Sequence, residues 1–210
     1  MKQTKLYIGN KNYSSWSMRA WLCIKQVGID FEEVLIALRT NQTKENILKI
    51  SPSGKIPCLI HNNLKIWDSL AIALYLEEIF PEANLFPKNK EIRHFAQSIC
   101  SEMHSGFINL RNEFPMDMQL KTKQEPGIET QKEIKRILEI WKVCLNKSRG
   151  NFLFGDFSAA DAFFAPVVSR FISYDVEVGD LVDYLNNISK NAFYQEWQSS
   201  ALQEKPAIKV

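Results

Sequence analysis

The chain has 210 residues, 45% hydrophobic and 24% charged, with a formal net charge of +2. That length allows one large or two small domains with a real core, and the near-balanced charge gives no electrostatic case for nucleic acid or an anionic membrane. The polar start, with Lys2, Lys5 and Lys11, predicts no secretory leader, and no apolar run is long enough to predict a membrane span.

Lys5-Leu6-Tyr7-Ile8-Gly9 predicts a short strand ending at a loop. From Ser15 the pattern changes. Trp16, Ala20, Cys23, Ile24 and Val27 recur with helical spacing, which predicts an amphipathic helix closed by Gly28. Phe31 to Ala37, rich in apolar and β-branched side chains, predicts a second strand. Thr43 to Lys49 predicts a short helix stopped by Ser51-Pro52-Ser53-Gly54. Residues 57–61 and 64–67 predict a hairpin across Asn62-Asn63. Asp68 or Ser69 then caps a helix running to Phe80, apolar on several sides and so expected between two layers.

Pro81 and Pro87 interrupt the next stretch, so 81–88 reads as a linker between an N-terminal domain (1–80) and a second domain (89–210). The second domain is predicted to be all helical. One long helix runs from Asn89 to about Asn112, and another from Glu129 to Lys147 after the Pro126-Gly127 break. A very apolar third spans Ala159 to Phe171, and two weaker ones lie near Leu181–Ile188 and Ala192–Ser199. The predicted fold class is an α/β domain of order β-α-β-α-β-β-α followed by an all-α domain.

Three segments carry candidate chemistry. Ser14-Ser15-Trp16-Ser17-Met18-Arg19 clusters hydroxyls where a strand gives way to a helix; helix capping alone explains one of them. Ser53-Gly54-Lys55-Ile56-Pro57 offers a rigid X-Pro turn, and Asp68-Ser69 puts a carboxylate and a hydroxyl at another helix start. The four cysteines (Cys23, Cys58, Cys100, Cys144) show neither C-x-x-C nor zinc-ligand spacing, and the three histidines do not cluster. Buried thiols in a reducing compartment and no metal site are expected.

This element order, with a proline leading the third strand, resembles a thioredoxin-like domain. With the helical domain the chain resembles, over nearly all its length, the glutathione transferase superfamily, in particular its serine-type bacterial branch related to the zeta class. That branch shares the S-S-x-S-x-R helix start, the proline at Pro57, the acidic-Ser pair at Asp68-Ser69 and the S-x-x-D capping box at Ser158–Asp161.

The resemblance implies glutathione as cosubstrate, a cytoplasmic homodimer, and no nucleic-acid or membrane partner. It implies that Ser14, or Ser15 as alternative, donates to the glutathione sulfur, with Ser17 supporting the first helical turn and Tyr13 a competitor. A free thiol of pKa near ~8.5 is only a few per cent ionised at neutral pH. Lowering that pKa by about two units needs roughly 2.7 kcal/mol, within reach of one charge-assisted hydrogen bond plus a helix N-terminus. The Ile56–Pro57 bond is expected to be cis, with the Ile56 backbone pairing the cysteinyl segment. Lys55 pairs a carboxylate, Asp68 the γ-glutamyl ammonium and Ser69 the γ-glutamyl carboxylate, with Gln42 near the glycyl end. Arg19 lies near the site or makes a surface salt bridge. Met103, His104, Phe107 and Arg111 are expected to border an electrophile pocket with Trp16.

Trp16 stands where the zeta pattern has cysteine. The expected reaction is therefore attack of glutathione thiolate on a small electrophile. A glutathione-dependent cis–trans isomerase of the maleylacetoacetate type, and a non-catalytic binding protein on the same fold, are the alternatives.

Overall fold

In the computed structural model, which describes residues 4–205, the first seven elements are β1 (Lys5–Ile8), α1 (Ser15–Val27), β2 (Glu32–Leu35), α2 (Thr43–Ile50), β3 (Cys58–His61), β4 (Leu64–Trp67) and α3 (Ser69–Ile79). The strands form one sheet in the order β2-β1-β3-β4. β1 runs parallel to β2, with Leu6 opposite Glu33, and antiparallel to β3, with Leu6 opposite Leu59. β3 and β4 form the hairpin, and Asn62 and Asn63 both take positive φ (52° and 69°) in its turn. Leu6, Ile8 and Leu59 are fully buried, the two-residue period of a strand packed on one face.

α1 is buried on most sides because it packs against α3 and against helices of the second half. Met18, Ala20, Leu22, Cys23 and Ile24 have no exposed surface. Gly28 ends it in the left-handed region (φ 78°), its N–H closing on the Ile24 and Lys25 carbonyls. The expected strand over 31–37 shrinks to Glu32–Leu35. The expectation that α3 lies between two layers also needs correction: Ile72, Ala73 and Leu76 are fully buried, but Leu74 and Ile79 remain 40% and 45% exposed because no described segment covers that side.

The rest is helical: α4 (Lys90–Ser105), α5 (Ile108–Glu113), α6 (Ile128–Ser148), α7 (Ala159–Ser173), α8 (Val182–Lys190) and α9 (Ala192–Gln203), with short 3-10 turns at Pro81–Ala83 and Gly179–Leu181. α7 is the central post, packed against α1, α4 and α8. Its start is a capping box in which the buried Asp161 carboxylate accepts from Ser158 N–H, Ser158 Oγ, Leu153 N–H and Tyr184 OH. Leu85 and Phe86, in the connecting segment, are fully buried; Leu85 C=O accepts from Ala159 N–H (2.8 Å), and Phe86 N–H donates to Glu77 of α3 (3.2 Å).

The expected single helix over 89–112 is two helices. Gly106 closes α4 through its N–H to Glu102 C=O (2.9 Å) and turns extended, in a place where a Cβ would lie 2.8 Å from that carbonyl oxygen. Phe107 then takes the left-handed region (φ 59°), a cost of about 1–2 kcal/mol for a residue with a side chain, while its ring is buried in the core. Arg111 folds back from α5, donating from Nε to Gly106 C=O (3.0 Å) and from Nη2 to Met103 C=O, so it satisfies carbonyls left open at the end of α4.

Candidate active site

Ser14 is the N-cap of α1. It is buried, and its hydroxyl donates to Ser17 Oγ at 2.7 Å while accepting weakly from Ser17 N–H (3.4 Å). Ser17 Oγ also accepts from Gly9 N–H at 3.0 Å. Two hydroxyls in series are thus anchored on one backbone donor at the positive end of a helix. Ser15, the first residue of α1, is buried beside them and takes no part in this pair. Tyr13 lies in the same loop with the Arg39 guanidinium over its ring (4.8 Å).

The second expected cluster lies at the start of α3. Asp68 adopts φ 79°, ψ 132°, and accepts from Leu70 N–H at 2.8 Å. Positive φ at a residue with a side chain costs of order 1–3 kcal/mol and persists only where its surroundings enforce it. Ser69 is 1% exposed, and its hydroxyl has no hydrogen-bond partner among the described residues. The Ile56–Pro57 bond is cis, and the Ile56 N–H and C=O make no hydrogen bond to the described residues. Lys55 and Gln42 are exposed; Lys55 N–H donates to Ser53 Oγ (3.2 Å) and Gln42 precedes α2.

Trp16 joins the two halves. Arg19 Cζ lies 4.5 Å and Arg111 Cζ 4.8 Å from its ring centroid, and the His104 ring meets it edge-on at 5.0 Å. The alternative of a surface salt bridge for Arg19 is overturned. The side chain is fully buried between Trp16 and Phe163, and none of its three nitrogens has a hydrogen-bond partner among the described residues. Burial lowers its pKa, and the charges of Arg111 and Arg170 add to that. Arg170, buried in α7 with its own bonds to Phe114 and Pro166 carbonyls, is lowered to about 9 by burial first. The interior behind Trp16 is therefore rich in positive charge.

His104 Nε2 contacts Asp68 Oδ2 at 3.2 Å, a link absent from the sequence reading, and its Nδ1 is buried with no hydrogen-bond partner among the described residues. Burial lowers the His104 pKa, with Arg19 and Arg111 acting in the same sense and Asp68 opposing them. Met103 is fully buried in the core, so its part in this arrangement is its carbonyl rather than its side chain. Phe107 is 7% exposed at the α4–α5 break. A shallow depression of about 680 Å³ between α5 and α6 lies elsewhere; its carboxylates are committed, Glu113 to Gly127 N–H and Glu129 to Lys132. The cysteines are all buried and free, and burial pushes the Cys23 thiol up to about 12. No group of three or more potential metal ligands occurs among the described residues.

Residues 13–79 match the family model described as glutathione S-transferase, N-terminal domain, and residues 125–190 match the corresponding C-terminal domain. The first match spans the serine cluster, Pro57 and Asp68-Ser69; neither spans His104 or Arg111. A probable maleylacetoacetate isomerase of Caenorhabditis elegans is 30% identical over 167 residues, which are 78% of this chain and 76% of that protein. Glutathione S-transferase 1 of Dianthus caryophyllus is 29% identical, over 80% of this chain and 76% of its own length. Among solved structures, a glutathione transferase homologue from Burkholderia with bound glutathione superposes with a TM-score of 0.75 at 23% identity, covering 97% of this chain and all of that one. The two family models and the match to the nematode relative over most of both chains place this protein in the glutathione S-transferase family.

Proposed function

We propose that this protein is a glutathione transferase in which Ser14 holds the glutathione sulfur as thiolate for attack on a small electrophile. The observation that carries the reading is the Ser14–Ser17–Gly9 chain at the start of α1. When a sulfur takes the Ser14 hydrogen, the Ser17 hydroxyl turns to donate to Ser14 Oγ, and Gly9 N–H remains on Ser17. The thiolate then gains a donor that is itself polarised, at the positive end of a helix. The serine pair thus favours the nucleophilic form.

Binding falls to the neighbouring elements. Asp68 accepts the γ-glutamyl ammonium, the open Ser69 hydroxyl and the α3 N-terminus take the γ-glutamyl carboxylate, and the open Ile56 backbone adds the cysteinyl segment as a short strand. Lys55 and Gln42 are placed for the glycyl end. Trp16 and the half-buried His104 and Arg111 border the electrophile.

The isomerase reading is the second, favoured by the names of the relatives from C. elegans and Rattus norvegicus at 30% identity. Trp16 in place of cysteine puts it behind conjugation. Steady turnover of a chlorodinitrobenzene with glutathione, against weak isomerisation of maleylacetone, tests that order; no turnover of either supports the non-catalytic binding reading.

We also infer a homodimer in the cytoplasm. Trp67 at the end of β4 and Leu74 of α3 are 43% and 40% exposed, large apolar side chains of the kind that a second copy covers. The buried free cysteines suit a reducing compartment. A monomeric mass in solution, unchanged in Trp67→Lys, would remove the dimer.

A further inference from the structure

The loop that presents Ser14 is held from the far end of the chain. It runs from Gly9 to Ser14, and its inner turn is closed by Tyr13 N–H and Ser14 N–H on Asn10 C=O (3.1 and 2.8 Å). That closure makes the Ser14 backbone move with residues 10–12. The other bonds on those residues come mostly from the helical half. Glu204, just past α9, takes Lys11 N–H on one carboxylate oxygen (2.6 Å) and Asn12 N–H on the other (3.2 Å). Trp197 Nε1–H of α9 donates to Lys11 C=O (3.0 Å). Asn12 Nδ2 donates to Asp117 (2.9 Å), and its carbonyl oxygen Oδ1 accepts from Gln119 N–H (3.1 Å). Gln119 in turn donates to the Ala201 and Glu204 carbonyls (2.9 and 2.8 Å), which fixes the end of α9.

A carboxylate that receives two consecutive backbone N–H groups fixes the peptide plane between them. Lys11 and Asn12 are 8% and 1% exposed, so little water is present to replace it. The Lys11 ammonium lies elsewhere, paired with Glu33 at 2.9 Å. What Glu204 holds is therefore the backbone of the loop rather than a neighbouring cation.

We propose that Glu204 is a positioning residue for thiol activation, holding Lys11 and Asn12 so that the Ser14 hydroxyl is aimed at the glutathione sulfur. The proposal rests on the reading of Ser14 given above. It links the end of the helical half to a reaction whose donor sits in the α/β half. A misplacement of about 1 Å at such a group costs up to about a hundred-fold in rate.

The test uses the full chain, glutathione and a chlorodinitrobenzene, with Glu204→Ala, Glu204→Gln and Ser14→Ala side by side. The pH–rate profile, the thiolate absorbance of bound glutathione, and kcat and KM are measured along with the melting temperature. Glu204→Ala is expected to lower kcat about ten-fold near pH 6.5, to leave the KM for glutathione within about three-fold, and to move the thiol pKa toward the free value of ~8.5. Glu204→Gln, with one accepting oxygen in place of two, should fall between. A lowered melting temperature with an unmoved pH profile overturns the proposal. If Glu204→Ala does not fold, Glu204→Gln decides alone, because its amide nitrogen cannot accept the second N–H. If Ser14→Ala shifts the profile and neither Glu204 variant does, only the positioning role falls; if Ser14→Ala leaves it unmoved, the serine reading falls and takes the positioning role with it.

Discussion

His104 Nε2 lies 3.2 Å from Asp68 Oδ2, so the positive-φ cap of α3 is met by a side chain of α4. Asp68 is also the carboxylate proposed to take the γ-glutamyl ammonium. A ring nitrogen of the protein and the ammonium of the ligand thus meet the same group.

The pH dependence follows from that sharing. Burial lowers the His104 pKa, which favours the neutral ring beside Asp68. A histidine depressed in the folded chain takes up protons less readily than in the unfolded chain. Its contribution to stability is present above the unfolded value of about 6.5 and is lost as pH falls through the lower folded value. Asp68, Arg19, Arg111 and the Trp16 ring face it. Once protonated, His104 competes with the γ-glutamyl ammonium, so the KM for glutathione should rise as pH falls through the lowered His104 pKa. His104→Gln should flatten that rise. An unchanged pH dependence in the variant would remove His104 from the binding of glutathione.

Asp68→Ala should weaken glutathione binding by about 1.5–3 kcal/mol, the range for hydrogen bonds to charged groups. The same change removes the cap on Leu70 N–H, so stability should fall by about 1 kcal/mol. Titration calorimetry and denaturant melts separate the two. Lost stability with unchanged affinity would leave Asp68 a cap and nothing more.

For thiol activation, Ser14→Ala should raise the apparent pKa of the bound thiol toward ~8.5, with glutathione affinity changed by only a few fold. Ser17→Ala removes the hydroxyl that polarises Ser14 and should shift the profile in the same direction by less. Ser15→Ala should leave it in place. A shift in Ser15→Ala alone would move the donor by one residue, and no shift in any of the three would turn attention to Tyr13.

The parts of the fold that were legible are those set by local spacing. The helical period after Ser15, the Asn62-Asn63 turn and the Ser158–Asp161 capping box each lie within one element. The break between α4 and α5 was not, because helix formers resume at Ile108 and the cap on Met103 and Gly106 comes from Arg111 after the chain has turned back. Arg19 was open between a place near the site and a surface salt bridge, because nothing local decides between them; its burial depends on Phe163, far along the chain. Glu204 and Asn12 are 192 residues apart, and no local pattern announces that pairing. In the candidate site, the hydroxyls and the Asp68-Ser69 pair were visible as helix starts. The contacts that hold them in place are tertiary.

Arg111 is tested by stability first. Arg111→Met retains the stem over Trp16 and removes both donors from the carbonyls at the end of α4. Leaving those acceptors unpaired should cost about 1–3 kcal/mol. Arg111→Lys keeps the charge with one nitrogen in place of a planar fork and should recover part of it. Denaturant midpoints check the order; equal stability in all three proteins would mean that water replaces the cap without loss.

Trp16 is where the chain departs from the zeta pattern, and its surroundings show what the indole does. It is half-buried, with Arg19 and Arg111 both against its ring and His104 at its edge. Each cation over the ring is worth about 0.5–2 kcal/mol, more where water is excluded. A cysteine at this position would add a second sulfur beside the serine cluster, but it would uncover the Arg19 guanidinium and leave space beneath it. Trp16→Cys should therefore lower stability by about 2–4 kcal/mol, the range for loss of a large, partly buried ring together with its cation contacts. Trp16→Phe keeps an aromatic face and should cost less than about 2 kcal/mol. Activity has to be read at matched folded fraction. The unmodified protein should turn over a chlorodinitrobenzene and isomerise maleylacetone weakly; Trp16→Cys, once corrected for folding, should gain isomerisation relative to conjugation. If the ratio of the two activities is the same in both proteins, Trp16 packs the junction and does not select the reaction. Efficient isomerisation by the unmodified protein would put the isomerase ahead of the transferase, with the indole no obstacle to it.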